Sequence, residues 1–244
     1  MNKNIKTILM AAALPLAMMA APVYADFIID DFGPLAPGGG GGTAYSVADN
    51  TADSTPNPVS PLAAPALGAN TIMNGLADWT RSIQADLISG DLVETEICNN
   101  CQAAHLVSNS GSTGNGSFIY EASMGGSVDF SMYSMISFDY AADLAGAVVQ
   151  FTFAGSTTDI ITSGVLASTG TSAPSNLTGA SATFGPGNYS AITRIQMDIL
   201  GVSDLDFTID NVTAVPEPGT MALLGLGLIG FAFRSRKTVT SVAA

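Results

Sequence analysis

From residue 79 to residue 213 the sequence runs in short stretches rich in β-branched and aromatic side chains. Clusters such as SNSGSTGNGS, MGGS and FGPGN break them up. No stretch keeps the 3.6-residue apolar period of an amphipathic helix, whereas LDFTIDNVT at 205–213 alternates cleanly. Leu205, Phe207 and Ile209 fall on one side of an extended chain, and Asp206, Thr208 and Asp210 on the other. One face is therefore core and the other carries carboxylates. Strands are predicted over 79–89, 103–108, 117–122, 127–132, 135–140, 147–154, 180–184, 193–200 and 205–213, after a short β-prone opening at 26–32. Short strands at regular spacing predict an all-β fold, a β-sandwich.

The two ends differ from this body. Lys3 and Lys6 precede an apolar stretch at 8–21 and the small-residue site Val23-Tyr24-Ala25, the pattern of a secretory signal peptide over 1–25, cut before Asp26. Near the other end, residues 221–233 are all apolar or Gly and are followed by Arg234, Arg236 and Lys237. A helix over that run spans about 20 Å at ~1.5 Å per residue, short of the ~30 Å hydrocarbon core of a bilayer. Such a transmembrane helix holds a protein only weakly. The basic cluster stays cytoplasmic by the positive-inside rule, which leaves Pro216, Glu217 and Pro218 on the far side at the membrane surface. The prolines keep 215–218 extended. The organisation expected is a signal peptide at 1–25, a sandwich at 26–214, a membrane-directed signal at 215–237 and a trailer at 238–244.

The body holds nineteen Asp and Glu side chains against Arg81 and Arg194. A surface this acidic has no means of replacing the counterions of a polyanion, so nucleic acid is excluded as a partner. Residues 33–70 shift to Gly, Pro, Ala, Ser, Thr and Asn, with glycines throughout 38–42, and are expected to form a long loop. Neither a Lys nor a helix pattern follows that glycine run, so it is no phosphate loop.

Cys98 and Cys101 are the only cysteines, and an exported chain favours a local disulfide between them. Gln102 stands where haem attachment needs His. His105, the lone histidine, is read as a strand residue, with a Cys2His metal site as the alternative. One His and no Gly-x-Ser-x-Gly pattern argue against a Ser-His-Asp site, and the chain is read as non-enzymatic. Its scattered carboxylates leave a polysaccharide-acting hydrolase as a further alternative. Trp79 is expected in the core, and Tyr120, Tyr133 and Tyr189 as exposed rings on which a sugar could stack. Acids gather in the first strand, Asp30 and Asp31, and in the last, Asp204, Asp206 and Asp210. Such oxygens suit a structural calcium ion, the alternative being a solvated strand face.

Pro216-Glu217-Pro218, the apolar run 221–233 and Arg234-Ser235-Arg236-Lys237, in that order, resemble the PEP-CTERM sorting signal of Gram-negative bacteria. This implies export through signal peptidase and transient tethering in the inner membrane. It also implies cleavage by exosortase, a membrane cysteine protease-transpeptidase, and delivery to the cell surface or to an exopolysaccharide-linked biofilm matrix. The opening IDDF and closing DFTIDNV are similar to the ends of galactose-binding-like jelly rolls of carbohydrate-binding modules. That second resemblance implies a jelly-roll-like sandwich, polysaccharide as a partner and structural calcium on Asp30, Asp31 and Asp210.

Overall fold

The computed structural model describes residues 25–32, 43–52, 60–62, 73, 76, 78–98, 103–123 and 125–216. Asp26–Pro216 forms one compact unit. The signal peptide, Glu217, Pro218, the apolar run 221–233, Arg234, Arg236 and Lys237 lie outside the described residues, as does Cys101. Among the described residues no helix is long and apolar enough to cross a membrane.

The body is the all-β sandwich that the sequence predicts. In chain order its strands are β1 (Phe27–Asp30), β2 (Thr43–Asp49), β3 (Ser60–Leu62), β4 (Trp79–Ser89), β5 (Val93–Cys98), β6 (Ala103–Ser108) and β7 (Thr113–Ala122). There follow β8 (Tyr133–Ala142), β9 (Val148–Ala154), β10 (Thr158–Val165), β11 (Thr178–Thr183), β12 (Arg194–Leu200) and β13 (Phe207–Pro216). One sheet has the order β11-β8-β13-β6-β5-β2 with β1 added beside β13; the other has the order β10-β9-β12-β7-β4-β3. Alternate residues point inward, so Trp79, Ile83, Phe118, Phe151, Phe153, Ile195, Met197 and Ile199 of one sheet meet Ile136, Phe138, Phe207 and Ile209 of the other in a single buried core. Each such side chain contributes about 1.5–3 kcal/mol by leaving water.

Three expectations need correction. The stretch 33–70 is not all loop, for β2 pairs with β5 and β3 with β4, each closing one edge of a sheet. An edge strand needs backbone pairing on one side only and tolerates a proline such as Pro61. Residues 127–132 form no strand; Val128 makes an isolated bridge with Ile192, and the segment otherwise turns toward β8. β5 and β10 were not expected, although Val93, Thr95 and Ile97 of β5 alternate inward with Glu94 and Glu96 outward.

β13 carries the feature that shapes the chemistry. Its partner on one side changes along its length, β6 at Phe207, Thr208 and Ile209, then β1 from Val212 to Ala214. On its other side Asp210 faces Asp139 and Thr213 faces Ser137, so Asn211 and Val212 together oppose one residue of β8. This bulge puts Asn211 at φ 52°, a left-handed conformation that Asn accepts better than most residues.

Candidate functional site

Arg81 points inward from β4, in phase with Trp79 and Ile83, and is fully buried. A guanidinium there is tolerable only with a counter-charge, and Asp30, at the end of β1 in the opposite sheet, supplies it. Arg81 Nη1 pairs with Asp30 Oδ2, which also accepts the Tyr120 hydroxyl at 2.9 Å. Asp30 Oδ1 accepts the Phe32 amide at 2.9 Å. The Phe32 ring lies 5.4 Å below the guanidinium. Burial pushes the Asp30 carboxyl up, against Arg81 and its two other donors, and drives the Tyr120 hydroxyl well up. Arg81 Nε and Nη2 find no hydrogen-bond partner among the described residues, so the pair leaves part of its desolvation cost uncompensated.

The other two expected ligands stand close by. Asp210, at the bulge, feels the charges of Asp139, Asp31 and Asp30; with burial as the larger cause, its carboxyl is pushed up to about 6. Asn211 binds this cluster, its amide nitrogen reaching Asp210 Oδ1 at 2.7 Å and its side chain Asp139 Oδ2 at 3.0 Å. Asp30 and Asp31, the other two acids that the jelly-roll resemblance implies as ligands, thus act on Asp210 by charge. The three do not fit a calcium ion, because both Asp30 oxygens are taken by Arg81, Tyr120 and Phe32. Among the described residues no group of three or more His, Cys, Asp or Glu side chains is placed to hold a metal.

Tyr120, Trp79 and Tyr189 are buried, Tyr189 against Phe153 and Phe184. Of the three tyrosines expected to be exposed, Tyr133 alone is partly open, in ring contact with Phe27 and Phe130. Trp79 fills the core as expected. His105 is a strand residue on the outward face of β6, half-buried beside Thr208, whose Oγ1 is 2.8 Å from Nδ1; burial pushes its imidazole down, against Asp206. Cys98 is disulfide-bonded at the end of β5.

A polar row that the sequence reading did not single out crosses the outward face of the second sheet. Arg194, Gln196 and Asp198 of β12 alternate with the core residues Ile195, Met197 and Ile199, a pattern visible in RIQMDIL. Arg194 Nη2 donates to Gln196 Oε1 at 2.7 Å, Gln196 Nε2 to Asp198 Oδ1 at 2.8 Å, and Ser117 Oγ to the same oxygen at 2.6 Å. Glu121 Oε1 lies 3.1 Å from Arg194 Nε. Register places Gln150 and Thr152 of β9 on one flank, and Ser82 and Gln84 of β4 on the other, beyond Ser117 and Ile119. The result is a surface of amides, hydroxyls, the carboxylates of Asp198 and Glu121 and the Arg194 guanidinium, able to donate and accept hydrogen bonds in fixed directions.

The far end of β13 leads out of the sandwich. Ala214 is buried between β1 and β8, Val215 pairs with Met135 and Pro216 with Tyr133. Ser134 Oγ lies 3.4 Å from the carbonyls of both Val215 and Pro216. Residues 214–237 match the PEP-CTERM protein-sorting motif. The chain carries a PEP-CTERM sorting signal. That signal marks an exported protein, and in this one the PEP-CTERM match opens inside the last strand of the sandwich, with no linker between them. No curated protein matches this chain. Among solved structures its sandwich is similar to the family 11 carbohydrate-binding module of the cellulosomal cellulase Lic26A-Cel5E of Clostridium thermocellum, at 12% identity over 79% of this chain and 95% of that one, TM-score 0.37. A family 29 carbohydrate-binding module aligns at 10% identity over 65% and 89%, TM-score 0.35. CsCBM6-3 from Clostridium stercorarium, in complex with cellobiose, aligns at 15% identity over 47% and 75%, TM-score 0.33.

Proposed function

We propose that this exported protein is cut from its tail by exosortase and that its sandwich then serves in the polysaccharide layer at the cell surface, by binding and structure rather than by turnover. The observation that carries the reading is the placement of the sorting motif at the end of β13. Among the described residues the core lies upstream of Pro216, so cleavage beyond that point releases the sandwich whole. In the native host, the parent strain should release or display a body lacking residues 221–244. A strain without exosortase should keep the tail and hold the protein in the membrane fraction. Equal processing in both strains contradicts the reading.

The polar row favours a second reading, in which the outward face of β9, β12, β7 and β4 binds glycan. Sugar hydroxyls are met by planar amides and carboxylates held in register, and Gln196, Asp198 and Ser117 already fix one another. The many carboxylates of the body repel uronate-rich chains, so the ligand is a neutral polysaccharide. Affinity electrophoresis against neutral and acidic polysaccharides checks this. Retardation by a neutral glycan should be lost in Gln196→Ala; retardation unchanged by that substitution removes this face as the site.

A further inference from the structure

The structure places the first strand of the body beside the last. Phe27 pairs with Ala214 and Ile28 with Thr213, antiparallel, so one residue farther on each strand stand Asp26 and Val215. Asp26 is the residue expected to begin the chain once the signal peptide is removed, and Val215 is the second residue of the sorting-motif match. Two ends that the sequence separates by nearly the whole body therefore leave the sandwich at one corner. The Tyr133 hydroxyl, pushed up by burial and by the nearby charges of Asp26 and Asp129, belongs to the residue paired with Pro216.

This corner is well secured. The Phe27 ring packs edge-on against Phe130 at 5.1 Å and against Tyr133 at 6.1 Å, and Phe130 continues the contact to Phe153. Four residues into the body, Asp30 is tied across the core to Arg81 and Tyr120. β1 is thus fixed at both ends, and it covers β13 up to Ala214.

A cysteine protease needs its target peptide extended and free on both edges. Its thiol adds to a carbonyl carbon, the C–N bond breaks, the tail departs as an amine that takes up the proton, and the acyl group passes to water or to an acceptor amine. Ala214 has sheet neighbours on both edges, and Val215 and Pro216 are paired with β8. Resting on the sorting reading above, we propose that the β1–β13 corner sets the upstream limit of tail cleavage. The mature chain then keeps all of β13, Pro216 included, and its two processed ends lie side by side.

The test is to map the carboxyl-terminal residue of the protein recovered from its native host, for the unaltered chain and for Phe27→Ala, by mass spectrometry. Hydrogen exchange across 212–216 is measured on both. The unaltered chain should end at Pro216 or beyond, with 212–216 protected. Phe27→Ala should exchange there at least tenfold faster and show a ragged set of ends upstream of Pro216. If that variant is not recovered, Ser134→Ala, which frees the two carbonyls alone, should shift the ends in the same direction. A tail removed with the unaltered chain ending before Pro216 overturns the corner and leaves the sorting reading intact. Unchanged ends in a variant whose 212–216 exchange is loosened overturn it too. A chain still carrying residues 221–244 overturns the sorting reading itself.

Discussion

Asp30 ends β1 beside Val212 of β13 and Asp210 stands two residues before Val212 on that strand, and the jelly-roll resemblance casts both as ligands of one ion, yet the fold gives them opposite surroundings. Asp30 is wholly buried, and its oxygens are used by a guanidinium, a phenol and an amide. Asp210 is half-buried at a bulge among other carboxylates, with its proton held to about pH 6. The first is a clasp between sheets; the second is a concentration of like charge that the bulge tolerates. Strand register decides the difference. Arg81 stands in phase with the core on β4, and a cation placed there demands one particular acid.

The largest effect is expected at the clasp between Asp30 and Arg81. Asp30→Ala should cost about 3–5 kcal/mol, read from the urea midpoint, because it strands a buried guanidinium. Asp30→Ala combined with Arg81→Met should recover most of that loss, since an apolar pair has no desolvation penalty to offset. A double variant as weak as the single one would show that Asp30 acts through something other than Arg81.

Asp210 should respond with the opposite sign and a smaller size. Its folded value of about 6 lies above the ordinary 3.8, so the folded chain holds the proton more tightly than the unfolded chain does. The stability this group contributes is fully present below pH ~4 and is lost as pH rises from about 4 to about 6. Asp210→Asn keeps an acceptor for the Asn211 amide and removes the charge. It should stabilise the protein at pH 7 by about 1 kcal/mol, allowing for the solvent screening of a half-exposed group, and leave it unchanged at pH 4. A gain that is equal at both pH values would mean that charge is not the cause.

A thermal melt with and without chelator sharpens the same contrast. With Asp30 committed to Arg81, the two melting temperatures should agree. A lower one with chelator would return these acids to the role of ligands, because an ion bound to the folded state must raise its stability. The smallest effect is expected on the outward face of β12, where Gln196→Ala should change stability by less than about 0.5 kcal/mol while abolishing glycan retardation.

Much of the fold was legible because alternation is a local signal. The runs 79–89 and 103–108 coincide with β4 and β6, and LDFTIDNVT reads out the inward and outward sides of β13. β2 and β3 were not legible, since edge strands in a Gly- and Pro-rich stretch owe their form to neighbours far along the chain. Tyr120 was misplaced for a similar reason: SFIYEA shows an aromatic residue but not the Asp30 that turns it inward from 90 residues away. The polar row was written in RIQMDIL, yet its meaning depends on Ser117 and Glu121, which only the pairing of β12 with β7 brings alongside.

The exported body is taken to be a complete sandwich, closed by β1 and β13 and separated from its tail. The most direct measurement of this is the intact mass of the protein taken from the surface and medium of its native host. One species is expected, beginning at Asp26, ending at or shortly after Pro216, and two hydrogens lighter than its reduced form through a bond between Cys98 and Cys101. A species that still carries residues 221–244 would contradict it, and the tail would then be a permanent anchor.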